Sequence, residues 1–117
     1  MMRRLVIVDD HDGFRAVARA LLAADGFEVV GEARDGESAI AEVLRQAPDI
    51  VLLDVELPDM NGFEVARRLA AAGCPAVVVL TSSRDRADYG PMVDESPAHG
   101  FVPKGDLSGE AVRSAAA

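Results

Sequence analysis

No apolar run in this sequence approaches the ~20 residues needed to span a bilayer. Runs such as Ala76-Val77-Val78-Val79-Leu80 are strand-sized. The start, Met1-Met2-Arg3-Arg4, is basic, but the apolar residues after it meet Asp9 and Asp10 too soon to form a signal-peptide core. A lone cysteine, Cys74, excludes an internal disulfide framework. These absences predict a cytoplasmic chain with no membrane partner. A basic stripe and a recognition-helix motif are missing too. The net charge is −8, so free nucleic acid is repelled rather than steered in. Repeats, linkers and low-complexity tracts are absent apart from a short alanine end. What remains is 117 residues, 50% hydrophobic and 27% charged, which predicts one domain over 1–117 with a single substantial core.

Strand-like and helix-like patterns alternate along that length. Leu5-Val6-Ile7-Val8 is a short apolar run ending at Asp9. Phe14, Val17, Ala18, Leu21 and Leu22 recur at the spacing of an amphipathic helix, with Asp12 expected to cap it and Gly26 to follow its end. Glu28 to Glu32 reads as a more polar strand, expected at a sheet edge. Asp35-Gly36 turns the chain, and Ile40, Val43 and Leu44 mark a second helix that Pro48 closes. Asp49 to Asp54 is a continuous apolar strand closed by an acid, the pattern of a strand covered on both faces. Asn61 and Glu64 resemble a capping box for a third helix carrying Phe63, Ala66, Leu69 and Ala70. Ala76 to Leu80 is a fourth strand, ending at Thr81. Between Ser82 and Pro97, Gly90 and Pro91 interrupt the helical spacing of Tyr89, Met92 and Val93, which predicts a short, irregular, mobile helix. Met92 is expected in the core or an interface. Gly100-Phe101-Val102 is a fifth strand, and Leu107 to Ala117 holds a last helix.

Five β-α units in succession predict an α/β fold with a parallel sheet and helices on both faces. Ligands of such sheets sit at the carboxyl ends of the strands. The polar residues that follow the apolar strands are Asp9 and Asp10, Asp54, Thr81 and Lys104. Each alone is an ordinary turn, cap or surface residue. Their order across successive strands is what makes them a candidate site. Two unit charges ~4 Å apart interact by roughly 4 kcal/mol at an effective dielectric of ~20, so three clustered carboxylates repel unless a cation joins them. The donors are oxygens without a zinc-type His/Cys spacing, so Mg²⁺ is the natural candidate, and it leaves room for a phosphoryl group. Lys104 would pair with phosphate, Thr81 would hydrogen-bond a phosphoryl oxygen, and Asp54 would be the nucleophile.

At this point the chain resembles a response-regulator receiver domain of two-component signalling. The resemblance lies in Leu5 to Asp10, Asp54 to Gly62, Val79 to Ser82 and Gly100 to Lys104. It implies a flavodoxin-like (βα)5 doubly wound sheet with strand order 2-1-3-4-5. It also implies that Asp54 is the phosphoacceptor, and that Asp10, Asp54 and the Glu56 backbone carbonyl bind Mg²⁺, with Asp9 acting through water. Thr81 matches the switch hydroxyl, Lys104 the phosphate-pairing lysine, and Phe101 the aromatic that changes rotamer on activation. The implied partners are a cognate sensor histidine kinase, an output domain or partner protein, and a second copy of the chain as a homodimer. The stretch Phe27 to Glu37, with His11 after the acid pair, is similar to the subfamily that carries a C-terminal helix-turn-helix of the LuxR type, which implies a transcriptional output. Pro103 before Lys104 departs from the common pattern, in which proline follows the lysine. Glu56 and Ser83 lie where the family tunes phosphoryl lifetime.

Two other readings use the same residues. A haloacid-dehalogenase-like phosphatase also needs an aspartyl nucleophile and Mg²⁺, but places its nucleophile after the first strand and has a cap domain. A receiver-like interaction module that is never phosphorylated is the other, although such modules typically lose the acids or the lysine. His11 is expected as a surface or loop histidine, His99 as a structural one, and Cys74 as a loop thiol.

Overall fold

A computed structural model describes residues 2–117; Met1 of the basic start lies outside the described residues. Five strands alternate with helices: β1 (Arg4–Val8), α1 (Asp12–Ala24), β2 (Glu28–Ala33), α2 (Gly36–Gln46), β3 (Ile50–Asp54), α3 (Gly62–Ala71) and β4 (Val77–Ser82). A 3₁₀ turn (Arg86–Tyr89), the four-residue helix α4 (Met92–Glu95), β5 (Gly100–Pro103), a second 3₁₀ turn (Lys104–Asp106) and α5 (Gly109–Ala116) follow. The strands are parallel in the order β2-β1-β3-β4-β5, as expected for a flavodoxin-like sheet. β2 is an edge strand, which its polar composition anticipates.

The continuous apolar strands feed two cores at once, because alternate side chains point to opposite faces. Val6, Val8, Val51, Leu53, Val78 and Leu80 face Val43 of α2 and Phe63, Val65 and Leu69 of α3. Leu5, Ile7, Ile50, Leu52 and Val79 face Ala18 and Leu22 of α1, Phe27, and Val112 of α5. Each fully buried Val, Leu or Ile stabilises the fold by about 1.5–3 kcal/mol relative to exposure. Leu5 to Val8 and Ile50 to Leu53 are all fully buried, so β1 and β3 form the rigid centre. α5 is fastened to the end of α1 by polar contacts as well. The Asp25 carboxylate accepts the Gly109 amide at 2.8 Å, Arg113 Nη1 donates to the Asp25 carbonyl at 3.0 Å, and the Arg113 guanidinium lies over the Phe27 ring.

Several local expectations need correction. Asp12 is the first residue of α1 and not its cap; its carboxylate pairs with Arg15, and His11 occupies the cap position without a side-chain bond. Val17 is 63% exposed, so the buried stripe of α1 is narrower than the spacing suggests. Leu44 of α2 is exposed as well. Asn61 does cap α3, accepting the Glu64 amide at 2.9 Å, but the Glu64 carboxylate turns to Arg67 and Arg68, leaving half a capping box. Of the two places expected for Met92, the core is ruled out, since it is 44% exposed while its neighbour Val93 is buried. The irregular fourth helix is as expected: Gly90, at φ +57°, separates the 3₁₀ turn from α4.

α2 ends at Gln46, two residues before Pro48, with the cap residue Ala47 in the left-handed region at φ 48°, ψ 58°. A Cβ there costs roughly 1–2 kcal/mol, which a glycine would relieve in exchange for ~0.5–1 kcal/mol of chain entropy. Ala47→Gly should therefore raise stability by about 0.5 kcal/mol in urea unfolding; a loss would show that this cap tolerates its Cβ without strain.

Candidate functional site

The carboxyl ends of β1, β3, β4 and β5 converge at one edge of the sheet. Asp9 and Asp10 directly follow β1, Asp54 closes β3, Thr81 lies in β4 beside Asp54 in register, and Lys104 directly follows β5. Asp54 is 2% exposed, and Asp9 and Thr81 are fully buried. Burial on this scale needs compensation for each charge. Lys104 supplies part of it: its ammonium is 2.7 Å from Asp9 Oδ2 and 3.4 Å from Asp54 Oδ2, and it sits 4.6 Å from the centre of the Phe14 ring. No peptide bond among the described residues is cis, and Pro103 does not prevent Lys104 from reaching both acids.

One ammonium serves two buried carboxylates unequally. Burial pushes Asp9 upward, but bonds from Lys104 and His11 outweigh it and hold Asp9 below the usual carboxylate range. For Asp54, burial and the neighbouring Asp9 charge prevail over Lys104 and the Glu56 amide, so its pKa is pushed up to about 6. Burial pulls Lys104 down, yet the two acids outweigh that and raise it. The ammonium therefore remains charged, and the surplus of negative charge falls on Asp54.

The residues present fit a divalent cation. One ligand atom each from Asp9, Asp10, His11 and Asp54 lies within 4.8 Å of the others. Asp9 Oδ2 is paired with the Lys104 ammonium, whereas Asp10 Oδ1 is buried without a hydrogen-bond partner. Such acceptors are costly to leave unmatched. The donors are carboxylate oxygens, apart from the exposed imidazole of His11, whose Nδ1 lies 2.9 Å from Asp9 Oδ1 and 3.1 Å from Asp10 Oδ1. His11 is thus a surface histidine as expected, but one that touches both acids. Thr81 Oγ1 is also buried without a partner.

The loop after Asp54 is pinned at three points. The Glu56 amide donates to Asp54 Oδ1 at 3.2 Å. Asp59 accepts the Gly36 and Glu37 amides at 2.7 and 3.0 Å, which holds its carboxyl below the usual range. The Gly62 amide donates to the Val55 carbonyl at 2.7 Å, and a Cβ on Gly62 would lie 2.5 Å from the Asp54 carbonyl oxygen. Only glycine lets α3 begin so close to Asp54.

Phe101 is half-buried on the α2/α3 side of the sheet, apart from the acid cluster. Its ring centre is 5.9 Å from that of Tyr89, which in turn meets Phe63 edge-on at 5.7 Å. The Tyr89 hydroxyl contacts Ser82 Oγ at 2.6 Å and Glu56 Oε1 at 3.1 Å. Sequence reasoning missed Tyr89 and Ser82 as neighbours of the site. The available signal was that Tyr89 is the sole tyrosine, placed beside an interrupted helix. His99 is structural as expected, bonding both ways with the Val78 backbone.

A family model of the response regulator receiver domain matches residues 5–113. The chain belongs to that family. Among curated relatives, this receiver is 33% identical to the DNA-binding transcriptional activator EvgA of Escherichia coli over 85% of its length. It is 45% identical to a protein-glutamate methylesterase/protein-glutamine glutaminase of Anaeromyxobacter dehalogenans over 73% of its length. The receiver spans only 48% and 25% of those two proteins. A two-component response regulator of the LuxR family from Aurantimonas superposes with a TM-score of 0.83 at 30% identity, covering 89% of this receiver and 75% of that chain.

The folded pKa of Asp54, about 6 against an ordinary 3.8, makes its charge a cost to the cation-free fold. Its contribution to stability is whole below pH 4 and is lost as pH rises through 6. In EDTA, Asp54→Asn should therefore stabilise the receiver at pH 7 by about 2 kcal/mol and leave it nearly unchanged at pH 4. Denaturant melts at the two pH values decide this; equal shifts at both would remove the charge from the explanation.

Proposed function

We propose that the receiver accepts a phosphoryl group on Asp54 from the phosphohistidine of a sensor histidine kinase, in the cytoplasm, and thereby controls an output partner. The observation that carries this reading is the position of Asp54: buried, in excess of negative charge, flanked by the acid pair and within reach of the Lys104 ammonium. With a pKa near 6 it is mostly the nucleophilic carboxylate at neutral pH. One of its oxygens attacks phosphorus, a P–O bond forms, the P–N bond to the donor imidazole breaks, and that imidazole departs with the electron pair. Asp9, Asp10, Asp54 and the Glu56 backbone carbonyl would hold Mg²⁺, which when bound neutralises charge on the phosphoryl oxygens. Lys104 pairs with a phosphoryl oxygen as a point charge, exchanging part of its attraction to Asp54 for the new dianion.

The Thr81 hydroxyl, buried and without a partner, is the donor that the incoming group would recruit. Phe101 would then follow into the space that Thr81 vacates. The surface altered by this is the one formed by α4, β5 and α5. Such a change needs only a shift between two states separated by a few kcal/mol. The transcriptional activator among the relatives makes control of transcription the favoured output.

Incubation with acetyl phosphate and Mg²⁺ should add the mass of one phosphoryl group to the wild-type chain and none to Asp54→Asn, read by intact mass spectrometry. A similar gain in both would sink the assignment of Asp54. Adding beryllofluoride should shift amide resonances near Thr81 and Phe101, and unmoved resonances there would remove the switch.

A further inference from the structure

The segment that follows β4 has little regular structure to hold it. A four-residue 3₁₀ turn and a four-residue helix cover residues 86–95, and only Val93 of them is buried. Val93 packs into the core, and Tyr89 ties the segment to the loop after Asp54.

The hydrogen bonds around Tyr89 have a defined direction. A carboxylate only accepts, so the Tyr89 hydroxyl donates its one proton to Glu56. Ser82 Oγ must then donate to the Tyr89 oxygen, and it in turn accepts the Arg84 amide at 3.0 Å. The relay runs from the Arg84 amide through Ser82 and Tyr89 to the Glu56 carboxylate. Two of its members lie next to groups of the candidate site. Ser82 adjoins Thr81, and the Glu56 amide is donated to Asp54 Oδ1. Burial raises the Tyr89 pKa, so its donor proton is retained across the physiological range. The other restraint on Glu56 is Arg84 Nε at 3.1 Å, an exposed pair of small worth. The Tyr89 ring is held separately, between Phe63 and Phe101.

We propose that Tyr89 is a positioning residue whose hydroxyl latches the segment after β4 to the Asp54 loop and keeps the Glu56 carboxylate from activating water. The role rests on Asp54 being the phosphoacceptor. Hydrolysis of its acyl phosphate requires a water oxygen to attack phosphorus, the P–O bond to Asp54 to break, and the carboxylate to leave. The proton of the water passes to a base and then to solvent, as phosphate departs. Glu56, two residues along the chain from Asp54, acts as that base once released. The Tyr89 hydroxyl and Arg84 Nε both hold Oε1, which fixes the carboxylate beside the segment after β4; without the hydroxyl only the exposed Arg84 pair restrains it.

Tyr89→Phe keeps the ring and removes only the hydroxyl, so folding is preserved. After loading with acetyl phosphate and Mg²⁺ and desalting, phosphate release should be about fivefold faster than wild type, the change that losing one net hydrogen bond produces. In a Glu56→Ala background, the same substitution should change release by less than about twofold, because the base is gone. Without phosphodonor, Tyr89→Phe should also speed amide exchange in residues 84–95 and 55–61 together, and Ser82→Ala should do so for 84–95. Unchanged phosphate release with altered exchange, or equal acceleration with and without Glu56, would overturn the positioning role. If the wild type takes up no phosphoryl group, the phosphoacceptor reading fails by itself, and simultaneous loosening of the two segments alone decides for or against the latch.

Discussion

The Lys104 ammonium lies between two buried carboxylates, closer to Asp9 than to Asp54. Most of the chemistry at this end of the sheet depends on that shortage of positive charge. A second fixed cation would neutralise Asp54 and leave it a structural ion pair. With only one, Asp54 keeps a charge that burial makes expensive, which supports the proposal that the site takes up a divalent cation. Electrostatic deficit of this kind is a feature that folding alone would remove; an apolar residue at Asp54 would pack more cheaply.

The sheet makes the deficit tolerable by paying for it elsewhere. β1 and β3 are buried along their whole apolar length and pack against helices on both faces. Their carboxyl ends are thereby held where charges can be clustered without the strands moving apart. The loop after Asp54 is restrained from three sides, by the Asp54 carboxylate, by the amides at the start of α2, and by the glycine at the start of α3. Rigid strands and a tethered loop together keep the acids in place in spite of their repulsion.

Much of this was legible in the sequence because it rests on short-range pattern. Continuous apolar strands ending in Asp9, Asp54, Thr81 and Lys104 specify both the parallel sheet and the edge where those residues meet. The capping of α1 was not legible, because whether Asp12 serves the backbone or Arg15 depends on where the Arg15 side chain goes. Val17 and Met92 have core-like chemistry but face outward, since spacing defines a stripe without its width. Tyr89 escaped for a different reason. Its partners, Glu56, Phe63, Ser82 and Phe101, come from three other parts of the chain, and nothing in its own neighbourhood names them.

The clasp between Asp25 and α5 has a mechanical consequence. α1 and α5 share one core, and the Gly109 and Arg113 contacts join the end of one to the start of the other. Those two helices therefore form a single stiff wall along one face. On the opposite face, the stretch around α4 is made of two short turns held by few side chains. Load applied to α5 is transmitted to α1 and into the sheet, whereas load applied near α4 is absorbed locally. The molecule thus has one wall that moves as a plate and another that yields like a hinge.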